Sequence, residues 1–179
     1  MQPLRKLSLQ TLVVRAKPGD RTRGWLMAGP LALPVALGRG GIKANKREGD
    51  GGTPRGMFRL RRLWWRSDRA PRPRTRLPLR RIRSNDGWCE DPRDRRYNQP
   101  IQLPPDRPGD RLWRKDHLYD FIIELDHNTR PRIAGRGSAV FVHVARPGFA
   151  PTAGCVALKA DALRRLIARS GPNTRIVIG

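Results

Sequence analysis

Two stretches decide the reading of this chain: Ala139-Val140-Phe141-Val142-His143-Val144-Ala145 and, after a loop, Gly154-Cys155-Val156-Ala157-Leu158. The first alternates apolar and small or polar residues and reads as a strand with His143 near its end. The loop between them carries Pro147, Gly148 and Pro151, which turn the chain back. The segment after Cys155 is expected to enter a helix, with Asp161 in its first turn and a stripe of Leu163, Leu166 and Ile167. Ser170-Gly171-Pro172 supplies the stop signal, and Thr174 to Ile178 reads as a closing strand.

Working outward, Tyr119 to Asp126 has the short apolar run of a buried strand. The N-terminal third reads as strands at Leu7–Arg15, Gly24–Ala28 and Leu31–Leu37, divided by Pro18-Gly19-Asp20 and Gly29-Pro30 turns. A glycine-rich loop, Gly38 to Gly56, leads to a strand from Met57 to Trp65. Arg66 to Arg83 is rich in Arg and Pro and is expected to be an irregular or mobile excursion. A second irregular region is expected from Ser84 to Asp110. The length of 179 residues fits one domain, and its 37% hydrophobic content allows one modest core. The fold class expected is mainly β with one clear helix after the cysteine.

Charge and cysteine content narrow the function. Basic residues number 38 against 15 acidic ones, a net charge of +23. Such a surface is drawn to anionic polymers and membrane surfaces. No helix-turn-helix, zinc-finger or RRM signature accompanies it, so a specific nucleic-acid partner is not expected. Two cysteines, Cys89 and Cys155, exclude a disulfide framework and any CxxC metal or redox motif. The apolar segment Trp25 to Gly38 is broken by Pro30 and Pro34 and preceded by a foldable strand, so it reads as two strands rather than a signal peptide. No run reaches the ~18 uninterrupted apolar residues of a transmembrane helix.

A cysteine nucleophile needs thiolate character, a base within reach, and donors for the developing oxyanion. Cys155 follows a glycine and precedes the expected helix, whose dipole would favour a thiolate. The amides around Gly154 and Cys155 are candidate oxyanion donors, and His143 is the candidate base. Cys89 lies among Asp86, Glu90 and Asp91, which disfavour a thiolate, and is read as structural. His117 and His127 read as surface histidines without metal spacing, so no metal site is expected. Trp88, in a Gly-rich polar segment, is the best aromatic for a glycan or peptide groove. Thr152 is expected either to hold substrate or to cap the turn.

The stretches Gly135-Arg136-Gly137-Ser138-Ala139-Val140-Phe141-Val142-His143 and Pro151-Thr152-Ala153-Gly154-Cys155-Val156-Ala157-Leu158 together resemble the catalytic signature of YkuD-like L,D-transpeptidases. Thr53-Pro54 with Gly56-Met57-Phe58 resembles the family's Thr-Pro-x-Gly-x-Phe strand start. Gly87-Trp88-Cys89, Tyr97-Asn98 and Trp113 to Asp120 are similar to a compact subgroup of short bacterial members. The likeness covers about residues 8 to 178 and is most specific at the His/Gly-Cys pair. It implies a β-sandwich, a single catalytic domain over 1–179, no cofactor, and peptidoglycan stem peptides as substrate. It also implies Cys155 as nucleophile, His143 as proton acceptor and donor, and the Val144 carbonyl as the group that orients the imidazole.

Two departures stand out. Many members have Ser-His-Gly-Cys and an arginine two positions after the cysteine, where this chain has Thr152-Ala153-Gly154-Cys155 and Ala157. Arg136, Arg146 or Lys159 would have to supply the missing charge, and Arg136 and Ser138 join Thr152 and Trp88 as expected substrate contacts. An amine acceptor would give a cross-link, water would give an L,D-carboxypeptidase, and a lipoprotein amine would give an anchoring enzyme. The other reading is a basic polyanion-binding protein that keeps the fold. The family implies a cell-envelope or periplasmic location; with no export signal read in the sequence, a cytoplasmic one also stays open.

Overall fold

The computed structural model describes residues 9–105 and 109–179. Its strands are β1 (Thr11–Lys17), β2 (Asp20–Ala28), β3 (Leu31–Ala36), β4 (Ile42–Lys43), β5 (Thr53–Pro54), β6 (Gly56–Trp65), β7 (Leu79–Arg81), β8 (Asp86–Trp88), β9 (Pro100–Gln102), β10 (Asp110–Arg111), β11 (Phe121–Leu125), β12 (Phe141–Val144), β13 (Val156–Leu158) and β14 (Arg175–Ile178). One helix, α1 (Ala160–Arg169), lies between β13 and β14. Leu7 and Ser8 of the first expected strand lie outside the described residues.

The main sheet runs β11-β12-β13-β3-β2-β1-β14-β6, and β6 pairs back onto β11. The layers of the expected sandwich are therefore parts of one sheet that closes on itself. Alternation decides what it encloses. Leu12 and Val14, Leu26, Leu60 and Leu63, Ile123 and Leu125, Val142 and Val144, Val156, Ile176 and Ile178 all turn inward into one core. Leu163, Leu166 and Ile167 of α1 join that core. Fully burying each such side chain is worth ~1.5–3 kcal/mol.

The opposite face of β6, β11 and β12 is buried as well, which is why every residue of β11 is inaccessible. Trp64, Ile122, Phe141 and Cys155 project there and are covered by Ile82, Trp88, Leu112 and Tyr119. The cover is the region expected to be irregular. It contains a small sheet, β10-β8-β9, and its aromatic rings meet edge to face: Trp88 and Phe141 at 5.0 Å, Tyr119 and Phe141 at 6.1 Å.

The Arg/Pro-rich stretch carries no helix or strand from Arg66 to Pro78, yet it is anchored to the body of the fold. Arg66 is buried: its guanidinium stacks 3.6 Å over Trp113, donates to the Arg114 carbonyl at 2.6 Å and pairs with Asp68 at 2.7 Å. Arg69 pairs with Asp120 at 2.8 Å. The stretch ends in β7, which pairs in parallel with β6. Arginine composition suggested a solvated excursion, whereas planar guanidinium groups pin it to the body of the fold.

Candidate active site

Strands β12 and β13 are parallel, with Val142 opposite Val156 and His143 opposite Ala157. Side chains alternate along each strand, so Phe141, His143, Cys155 and Ala157 share the outer face. Cys155 thus stands one row back from His143, on the neighbouring strand and on the same side. The helix expected directly after the cysteine is preceded by β13 and begins at Ala160. The helix dipole therefore has no role at the thiol. Instead the Phe141 N–H donates to Cys155 Sγ at 3.4 Å, and Sγ donates to the Ala139 carbonyl at 3.2 Å. Ala139 takes a left-handed backbone (φ 50°), which aims that carbonyl at the sulfur.

His143 Nδ1 lies 2.8 Å from the Val144 carbonyl oxygen. A carbonyl only accepts, so Nδ1 carries the proton and Nε2 keeps its lone pair. Tyr119 stands edge-on to the imidazole at 5.4 Å. Burial pushes the His143 pKa down to about 4 and the Cys155 thiol up to about 12, although the Phe141 N–H favours the thiolate. The resting pair is a neutral imidazole beside a neutral thiol.

The turn before Cys155 is braced from within. Thr152 Oγ1 accepts from the Gly154 N–H at 3.1 Å and donates to the Cys155 carbonyl at 2.7 Å. The same loop is tied to the glycine-rich segment, with Arg39 N–H donating to Thr152 O and Thr152 N–H to Leu37 O. Gly154 has φ +144°, and a Cβ there would meet the Gly52 carbonyl at 2.8 Å. Glycine is required before the cysteine because another piece of backbone passes close by, not only because substrate must approach.

The pair opens into a cavity of ≈ 710 Å³. Arg39, Lys46, Arg114 and Arg146 line it, together with Glu48, Glu90 and Asp110. Desolvation, then repulsion from Asp110 and Glu48, raises Glu90 to about 7; desolvation raises Asp110 to about 6. Ser138 Oγ donates to Glu48 Oε2 at 2.7 Å, Tyr97 OH donates to the same oxygen, and Gly137 N–H donates to Tyr97 OH at 3.0 Å. Asp50 turns the adjoining loop. Burial would raise its carboxyl, but hydrogen bonds from Lys46, Arg47 N–H and Gly52 N–H hold it well below the usual range.

The expected site residues separate into three sets. Cys155, His143, Gly154, Thr152 and Ser138 all line the cavity. Gly154 N–H, expected as an oxyanion donor, is engaged by Thr152 in this state. Trp88, expected in the groove, is instead buried at 3% exposure, its Nε1 donating to Asn98 at 3.0 Å. A large flat ring under a cover of loops packs better as floor than as wall. Arg136 and Lys159 lie outside the cavity lining, so Arg146, joined by Arg39 and Arg114, brings the positive charge there. Ala157 is buried, with His143 opposite it on one side and Ala36 on the other.

Asp110 carried no signal that sequence reading used, and Glu48 and Asn98 stood there only within the glycine-rich loop and the Tyr97-Asn98 fragment. Asn98 Oδ1 accepts from both Trp88 Nε1 and Ala139 N–H, linking the aromatic floor to the carbonyl that holds the thiol. The Tyr97-Asn98 pair was visible as a motif fragment, but only the folded chain connects it to Cys155. The second thiol, Cys89, is buried, and desolvation, with Asp94 and Asp91 nearby, raises its pKa.

Among families of known proteins, a model described as YkuD, L,D-transpeptidase catalytic domain, matches residues 12–178. No curated protein and no solved structure matches the chain. Covering nearly the whole sequence, the match establishes that the chain belongs to the YkuD family, whose members are cysteine-dependent L,D-transpeptidases acting on peptidoglycan.

Proposed function

We propose that this chain is a cysteine acyltransferase that acts on peptidoglycan stem tetrapeptides through Cys155, with His143 as its acid/base. The observation that carries the reading is the placement of both side chains on one face of adjacent parallel strands, opening into one cavity. Cys155 Sγ attacks the carbonyl of the third stem residue while its proton passes to His143 Nε2. With a resting thiol near 12, proton removal accompanies attack rather than preceding it. The tetrahedral intermediate collapses as the imidazolium returns that proton to the departing amine, and the terminal D-alanine leaves. An amine on a second stem then attacks the thioester, gives its proton to Nε2, and releases a 3→3 cross-link and the free thiol.

The cavity fits this chemistry. Its volume lies in the range of peptide-sized ligand sites, and its cations suit stem carboxylates. Water as acceptor would make the same site an L,D-carboxypeptidase. Incubation of tetrapeptide muropeptides with the wild type, Cys155→Ala and His143→Ala tests the reading. Cross-linked dimers from the wild type alone support it; tripeptides without dimers move the acceptor to water. Turnover by Cys155→Ala removes the proposal. A carbapenem adduct seen by intact mass must likewise disappear in Cys155→Ala.

A further inference from the structure

Away from the catalytic cavity the outer face of the sheet is bare, and its residues are not randomly arranged. Ala32 pairs with Met27, Met27 with Val13, Val13 with Val177, and Val177 with Met57. These five positions form one straight row across β3, β2, β1, β14 and β6, and all five are apolar. None belongs to the core: their neighbours in sequence, among them Leu26, Leu12, Val14, Ile176 and Ile178, turn inward. Met57 is 64% exposed and Met27 39%. An apolar row that burial does not explain marks an interaction surface.

The rows on either side are basic. On one flank Arg175 stands directly opposite Arg59. On the other Trp25 pairs with Arg15, and Arg15 and Arg55 both approach Gly179. Arg175, Arg59, Trp25 and Arg15 each lie two residues along a strand from a member of the apolar row, so each projects to the same side, and Arg55, just before β6, comes close to Gly179. Like charges placed opposite one another on a sheet are unfavourable unless something neutralises them. Among the described residues, the guanidinium groups of Arg15, Arg55, Arg59 and Arg175 pair with no carboxylate; the Asp126 carboxylate takes the Arg59 backbone N–H at 2.8 Å instead. Trp25 is the most exposed tryptophan described, at 43%.

We propose that this face docks the protein on an anionic lipid bilayer, with the Ala32–Met57 row at the acyl boundary and Arg15, Arg55, Arg59 and Arg175 on headgroup phosphates. Apolar area with flanking cations is the combination that holds proteins at a bilayer surface, and tryptophan favours that boundary. The charge complementarity is local: four unpaired arginines frame one apolar strip. The face is also continuous with the catalytic one. The row through His143 runs on through Ala157 and Ala36 to Arg23, whose guanidinium donates to the Gly148 carbonyl at 2.8 Å beside the cavity mouth. Docking would hold the cavity next to the membrane surface.

Co-sedimentation of the full chain with phosphatidylglycerol–phosphatidylcholine vesicles tests this independently of catalysis. Binding is expected, together with a blue shift of Trp25 emission and its quenching by brominated lipid, both lost in Trp25→Phe. Arg59→Gln with Arg175→Gln should weaken binding roughly fivefold per charge. Met27→Glu with Met57→Glu should abolish it. Arg72→Gln with Arg74→Gln, an equal charge loss elsewhere, should leave affinity near the wild type. Should the glutamate pair unfold, Met57→Gln at the most exposed position reads the same dependence. Absence of binding, equal losses from the two arginine pairs, or wild-type binding by a folded Met variant overturns the proposal. A lipid-free dimer abolished by Met57→Gln would overturn it too, by making a second copy the occupant.

Discussion

The Val144 carbonyl, 2.8 Å from His143 Nδ1, fixes which nitrogen of the imidazole is basic. The bond comes from the next residue along the same strand, so no carboxylate is needed to orient the ring. Burial then keeps the imidazole neutral far into the acid range. The site is a preset, uncharged pair rather than a thiolate–imidazolium couple, and its behaviour follows from that.

The acid limb of kcat/KM is expected near pH 4, well below the ordinary histidine value of about 6.5. Activity should therefore survive acidification through pH 6 as far as His143 is concerned. A pH–rate profile checks this, and a limb at the ordinary value would place His143 in a far wetter setting. His143→Ala should lower kcat/KM by about 10²–10⁴.

Two buried groups pull stability in opposite directions over the same pH window. His143 has a folded pKa below its unfolded value, so its contribution is lost as pH falls from about 6.5 to about 4. Asp110 has a folded pKa near 6, above the ordinary aspartate value of 3.8, so the folded state holds its proton more tightly and stability falls as pH rises between them. Asp110→Asn removes the second slope and should add about 3 kcal/mol at neutral pH. Denaturant melts of the variant should then show a steeper loss on acidification than the wild type.

Thr152 is expected to act through Gly154 and Cys155, because both of its side-chain hydrogen bonds brace the turn that carries them. Thr152→Val removes both its hydrogen bonds and should cost about 1–3 kcal/mol of stability, with a fall in kcat larger than any change in KM. Thr152→Ser keeps the hydroxyl and should restore activity. Equal loss in both variants would shift the role to the methyl group.

Gly154→Ala should be among the most damaging single-methyl additions in the chain. Its φ of +144° and the Gly52 carbonyl 2.8 Å from the new Cβ leave no relaxed solution. The strain should cost about 1–3 kcal/mol and displace Sγ from the Phe141 amide. Thermal melts and carbapenem acylation rates read the two effects separately.

Much of this was legible before folding. Strand alternation around Phe141-Val142-His143-Val144, the α1 stripe and the Gly-Cys pair are local patterns, and local periodicity survives in sequence. The stretch Val156–Leu158 was misread as the start of α1 because a short apolar run fits a buried strand or a helix alike. Its pairing with β12 settles the matter, and with it the source of thiolate stabilisation: a strand amide, not a dipole.

The sequence by itself therefore determined the family and the mainly β class, and it pointed to His143 and Cys155 as the candidate pair. Tertiary structure alone decided what surrounds them. Trp88 became floor and not wall, Arg66 became a buried latch, and Glu48, Asn98 and Asp110 came to the site from distant segments of the chain. The reason is physical. Which face a residue takes follows from its neighbours along the chain, but desolvation, ion pairing and cross-strand register depend on partners tens of residues away.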